Sequence, residues 1–187
     1  MTIEPHGPAG HRPAMDAPRE PPEATVAGGS VAFEGAGELA RVLRDAMAHA
    51  AGHATHRVCW CDENYAAWPL GEAAWVAQLT RWARAGGREL VMIARDWAGV
   101  ERRHPRFVDW RRDWAHLIQC LAPDETRTAT LPTLWIDAAG QAIRVLDHAT
   151  WRGRAGVDRF DRQHARAEFD AISQRAGPGS SAVTLGL

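Results

Sequence analysis

From Val31 onward, apolar positions recur in short periodic blocks separated by turn residues. Leu39, Val42, Leu43, Ala46 and Met47 repeat at spacings of three and four between Glu38 and Ala50, which predicts an amphipathic helix. Arg57-Val-Cys-Trp-Cys-Asp62 follows, a short apolar run closed by acidic and amide residues, and reads as a strand with its exit turn. Trp75, Leu79 and Trp82 share one stripe between Gly71 and Ala85, with Pro69 ahead and Gly86-Gly87 behind, so a second helix is expected. Glu89 to Ala94 is almost continuously apolar, as in a strand covered on both faces, and ends at Arg95-Asp96. Beyond Pro105, the spacing of Phe107, Trp110, Trp114 and Leu117 predicts a third helix, with Arg106, Asp109, Arg112 and Asp113 mostly towards water. Ile118 to Leu121 reads as a short strand. Leu131 to Asp137 and Ala142 to Leu146, on either side of Ala-Ala-Gly-Gln, read as a hairpin. A closing helix is expected from Arg162 to Arg175, with Ala165, Phe169 and Ile172 on its inner face.

Strands alternating with helices, followed by a hairpin, imply an α/β fold with a mixed, mostly parallel sheet flanked by helices. Residues 1–30 hold six of the 11 prolines among Gly, Ala and isolated charges, too little apolar surface to offset chain entropy, and are expected to be a disordered tail. Residues 31–176 form the expected single domain and 177–187 a flexible tail. No apolar run approaches the roughly 18 residues of a membrane span, and the first 30 residues lack the apolar centre of a secretory signal, so a cytoplasmic location without membrane contact is expected. Three cysteines, Cys59, Cys61 and Cys120, are too few and too uneven for a disulfide framework, which agrees with a reducing compartment.

Composition narrows the chemistry. All 22 basic residues are arginine, so the chain has no lysine. A Walker phosphate loop, a Schiff base, a Ser-Lys dyad and a kinase-type phosphate lysine are therefore excluded, because a guanidinium group replaces none of those amines. A GC-rich coding bias accounts for the absence without selection.

Several constellations carry chemistry on paper. His49, His53, His56, Cys59 and Cys61 form the densest run of metal-ligating types, yet Cys59 and Cys61 alternate along a strand and read more simply as small hydrophobes, so no metal or cofactor is expected. Cys120 and His116 would make a thiol and base only if one helix carried both, and the expected helix end falls between them. Asp62, Glu63 and Asp96 lie at strand exits, where open α/β sheets place ligands and where magnesium would find oxygen donors; the same residues also build exit turns and cap helices. Residues 95–112 carry Arg95, Arg102, Arg103, Arg106, Arg111 and Arg112 against three acids, and residues 152–166 carry five arginines against two. With Trp97 and Trp151 nearby these are candidate anion or partner surfaces, although helix faces laced with ion pairs have the same composition. Of nine tryptophans, Trp75, Trp82, Trp110 and Trp114 fall on apolar faces, while Trp68, Trp97 and Trp151 near loops would mark a contact surface if exposed.

The order of elements over Val31 to Ala176, with the GGREL-VMIARD strand and the late hairpin, resembles one half of the phospholipase D fold. In that superfamily an HxKxxxxD motif on the hairpin strand supplies a histidine nucleophile, a phosphate-binding lysine and an aspartate. The matching stretch is Thr130-Leu-Pro-Thr-Leu-Trp-Ile-Asp137, in which only Asp137 agrees; Thr130 stands at the nucleophile and Pro132 at the lysine position. The stretches WPL…WVAQLTRWARAGGRELVMIARDW and HPRFVDWRRDWAHLIQC also resemble an uncharacterised domain family of bacterial proteins. The resemblance implies a degenerate, non-catalytic binding or assembly domain with a candidate cleft of Asp62, Asp96, Thr130 and Asp137. It also implies a homodimer, because active members join two such halves. Two alternatives stay open: a metal-dependent phosphodiesterase or nuclease using the strand-exit acids, and weak nucleic-acid binding through the arginines.

Overall fold

A computed structural model of the chain describes Met1 and residues 29–53, 55–124, 126, 130–156 and 158–179. Of the expected tails, 1–30 and 177–187, residues 2–28 and 180–187 lie outside the described residues, and Ser30 opens a strand. In chain order the elements are β1 (Ser30–Phe33), α1 (Ala36–Gly52), β2 (Arg57–Asp62), α2 (Ala73–Arg84), β3 (Glu89–Ala94), α3 (Trp97–Arg103), α4 (Pro105–Asp113), a 3₁₀ turn (Ala115–Leu117), β4 (Ile118–Ala122), β5 (Leu134–Asp137), β6 (Ala142–Asp147), β7 (Arg152–Gly156), α5 (Arg159–Ser173) and β8 (Gly177–Pro178).

The strands form one open sheet in the order β1-β7-β6-β5-β2-β3-β4-β8. The mixed α/β class stands. Parallel pairing, however, is confined to β2 with β3 and β3 with β4, while the other neighbouring pairs are antiparallel. The expectation of a mostly parallel sheet is corrected accordingly: only helical crossovers force parallel pairing, and from β5 to β7 the chain returns by tight turns. Gly177–Pro178, expected to open the tail, pairs with Leu121 and Ala122 of β4 and closes the sheet edge.

Alternation along the strands divides the core into two layers. Val58, Trp60, Leu90, Met92 and Trp135 face α1, α2 and α4. Cys59, Cys61, Val91, Ile93, Leu134 and Ile136 face α5 through Ala165, Phe169 and Ile172. Because β2 and β3 are covered on both sides, they show no polar alternation in sequence. Trp60 is the hub of the first layer, with ring centroids 5.4 Å from Trp68, 5.8 Å from Trp75 and 5.5 Å from Trp135. Each such ring removes about 200 Å² from water, on the order of 5 kcal/mol before entropy is deducted.

The expected third helix stops at Asp113, and Trp114 is only partly buried beside the 3₁₀ turn. A preceding helix, α3, is set apart from α4 by His104, whose Nε2 bonds the buried carbonyl of Tyr65 at 3.1 Å.

Candidate functional site

Strand pairing decides which residues share an edge. Asp62 ends β2 opposite Ala94, the last residue of β3, so Glu63, Arg95 and Asp96 leave the sheet side by side. β5 runs the other way, with Leu134 opposite Cys61 and Asp137 opposite Val58. Thr130 to Thr133 therefore approach the strand-exit edge, whereas Asp137 lies about 13 Å away, four residues down the strand. The candidate cleft of Asp62, Asp96, Thr130 and Asp137 is corrected on this point: Asp137 belongs to the opposite edge.

Asp62 is 3 % exposed and is the centre of the edge. Its Oδ1 accepts the backbone N–H groups of Asn64 at 2.9 Å and Tyr65 at 2.7 Å. Its Oδ2 accepts the Trp68 indole N–H at 3.1 Å and the Thr133 hydroxyl at 2.5 Å. Thr133 Oγ1 also lies 3.1 Å from His148 Nε2. The single hydroxyl proton is already donated to Asp62, which makes His148 Nε2 the donor in the second bond. His148 is exposed and edge-on to the partly buried Trp151 at 5.9 Å. Trp151 itself adopts a left-handed backbone at φ 54°.

The remaining acids of the edge are also engaged. Glu63 accepts from Arg95 Nε at 3.0 Å and from the Leu131 N–H at 2.7 Å. Asp96 caps α3 by accepting the Gly99 N–H at 2.7 Å. Thr130 is exposed in a bend. At the other edge, Asp137 accepts the Gln141 N–H at 2.9 Å within the β5–β6 turn, and burial pushes its carboxyl above the ordinary value.

The first arginine group is dispersed rather than assembled into one surface. Arg111 is buried, bonds Glu101 at 3.0 Å and stacks over Trp97 at 5.6 Å. Arg103 donates to the Asn64 carbonyl, Arg106 to the Gly71 carbonyl, Arg112 to Asp109 and Arg95 to Glu63. Arg102 is exposed. Trp97 and Trp68, at 6 % and 3 % exposure, belong to the core rather than to a contact surface, and Trp97 donates to the Leu121 carbonyl at 2.9 Å.

His49 and His53 stack on each other at 3.9 Å on the exposed side of α1, whereas Cys59 and Cys61 are buried towards α5, where loss of solvation pushes both thiols up. Among the described residues no group of three or more His, Cys, Asp or Glu is placed to hold a metal ion. His116 lies in the 3₁₀ turn and Cys120 in β4, so no helix carries both; burial raises the Cys120 thiol, and Arg111 Nη1 meets its sulfur at 3.5 Å. Thr133 and His148 were not singled out from sequence. Asp-His-Ala-Thr after an apolar run resembles any hairpin exit, and only the folded sheet brings His148 to Thr133.

The sheet order and the two-layer packing define an open, mixed α/β sheet with helices on both faces. No family model and no curated protein matches the sequence. Solved structures match the fold. TrmBL2, an archaeal chromatin protein described with a novel mode of DNA binding, superposes with a TM-score of 0.60 at 11 % identity over 84 % of this chain; the match spans 56 % of the TrmBL2 chain. NucT from Helicobacter pylori gives a TM-score of 0.55 at 6 % identity, covering 81 % of this chain and 99 % of NucT. Nuc from Salmonella typhimurium, a phospholipase D family member, gives 0.49 at 11 % identity, with 82 % and 100 % covered. No helix among the described residues is long and apolar enough to cross a membrane.

Proposed function

We propose that this is a non-catalytic binding or assembly domain of phospholipase D-like architecture, whose strand-exit edge serves as a scaffold. One observation carries the reading: the edge carboxylates are already engaged in holding the fold. Asp62 accepts four hydrogen bonds, Glu63 ties Arg95 to the Leu131 backbone, and Asp96 caps a helix. A general base or a metal ligand needs a free lone pair directed at the substrate or ion; Asp62 is buried with both oxygens given to internal donors, and Glu63 and Asp96 each hold a backbone N–H. The absence of lysine and the presence of Thr130 and Pro132 at the motif positions support the same reading.

The test is incubation of the full chain with bis(p-nitrophenyl) phosphate, first without metal and then with magnesium. No turnover is expected in either arm. Magnesium-dependent turnover that disappears in Asp96→Ala would replace this reading with the metal-dependent phosphodiesterase.

As to what is bound, the likeness to TrmBL2 favours nucleic acid as a second reading. Arg102 and Arg159 support it, being exposed and without an acidic partner among the described residues. Binding of this kind weakens steeply with salt. A gel shift that is absent at low salt, or unchanged at high salt, would remove it. Self-association through the face that active relatives use to join two halves belongs to the same proposal, and light scattering showing a strict monomer would remove that part.

A further inference from the structure

The edge opposite Asp62 holds an open-mouthed cavity of about 450 Å³ between α5 and the β5–β6 turn, lined among others by Arg162, Gln163, Arg166 and Asp170 from the helix and by Ala138 and Gly140 from the turn. Its two arginines are unequally paired. Arg166 gives its Nε to Asp170 at 3.0 Å and has no further acceptor on its terminal amines among the described residues. Arg162 is half-buried and has no acidic or hydrogen-bonding partner among the described residues. Asp137 also lines the cavity, but opposite Val58 its side chain turns to the α1 layer and accepts the turn's N–H groups, so it is not paired with Arg162.

The turn is shaped around Arg162. Gly140 has φ 101°, and a Cβ there would come within 2.4 Å of Arg162 Nη1, so the guanidinium lies directly on the glycine. With no acceptor from the described residues, the guanidinium keeps its donors open to water and to an anion. Arg162 and Arg166 are also one helical turn apart, with Cβ atoms about 5–6 Å from each other, so both forks reach one small ligand. A carboxylate is satisfied by a single fork. A phosphate monoester, with three equivalent oxygens and close to two charges, suits two.

We propose that this cavity binds a small molecule bearing a terminal phosphate monoester, held by Arg162 and Arg166, with the remaining volume open to its organic part. The proposal is independent of whether the opposite edge is catalytic.

Phenyl phosphate is the probe, titrated into the full chain by calorimetry, with benzoate as the carboxylate of the same ring. Saturable one-to-one binding of phenyl phosphate is expected, weakened about tenfold or more in Arg162→Ala, as loss of a charge-assisted fork implies. Arg175→Ala, exposed just past the C-terminal end of α5 and outside the cavity lining, is expected to bind as the parent does. Gly140→Ala, which displaces Arg162, should weaken binding even if thermal stability falls only slightly. Absence of saturable binding, equal affinity in Arg162→Ala, or benzoate binding as tightly as phenyl phosphate would overturn the proposal.

Discussion

Asp62 carries a load that its position alone would not suggest. Removing its carboxylate leaves the Tyr65 N–H and the Trp68 indole without an acceptor in a buried region, each at about 1–3 kcal/mol, and leaves the Thr133 hydroxyl only His148 as a partner. Asp62→Ala is expected to destabilise the domain by about 3 kcal/mol or more in urea unfolding. Thr133→Val, which removes one hydroxyl at nearly constant shape, is expected to cost only about 1 kcal/mol. A titrating residue gives a second check. Burial lowers the His104 pKa below its ordinary 6.5, so the folded state prefers the neutral ring. The unfolded chain then binds the proton more readily, and stability is complete above pH 6.5 and declines as the pH falls below it. His104→Gln should flatten that part of the stability profile. At this scale the sequence showed which residues were acidic at strand exits. It did not show that they are engaged, because Asp62 and Thr133 are 71 residues apart and meet only through the antiparallel pairing of β2 with β5.

Among the elements, those with a wide apolar stripe or a two-sided apolar run were legible: α1, α2, α4, β2, β3 and α5 lie where periodicity puts them, to within a few residues. The ones that were not legible have tertiary causes. Helix α3 is seven residues long, too short for a periodic signal, and is defined by the Asp96 cap; Asp96→Ala should cost about 1 kcal/mol. Strand β7, Arg-Gly-Arg-Ala-Gly, has no apolar alternation because Gly153 lies beneath Phe33, and β1 exists only by pairing with it. A Cβ on Gly153 would fall 2.3 Å from the Arg144 carbonyl and 2.4 Å from the Phe33 ring. Gly153→Ala is therefore expected to destabilise by about 1–3 kcal/mol, as overpacking does. Gly37→Ala, in the first turn of α1 with open space around it, should instead stabilise by about 0.5–1 kcal/mol. Denaturant midpoints of the two variants should move in opposite directions.

The whole molecule combines an open eight-stranded mixed sheet with two differently built edges. At one, acids and hydroxyls are bonded to each other and to the backbone; at the other, a cavity is lined by Arg166, paired with Asp170, and by Arg162, which has no acidic partner among the described residues. The engagement of Arg103, Arg106, Arg111 and Arg112 within the fold explains how a chain with 22 arginines and a formal charge of -1 carries no single basic face built from its first arginine group. The central claim is that the strand-exit edge is a scaffold and not a cleaving site. Its most direct test places the full chain in excess over end-labelled single-stranded DNA for several hours, with and without magnesium, and resolves the products by length. The label should remain on full-length strand in every lane, and shortened product that grows with time and is lost in Asp96→Ala would contradict the account.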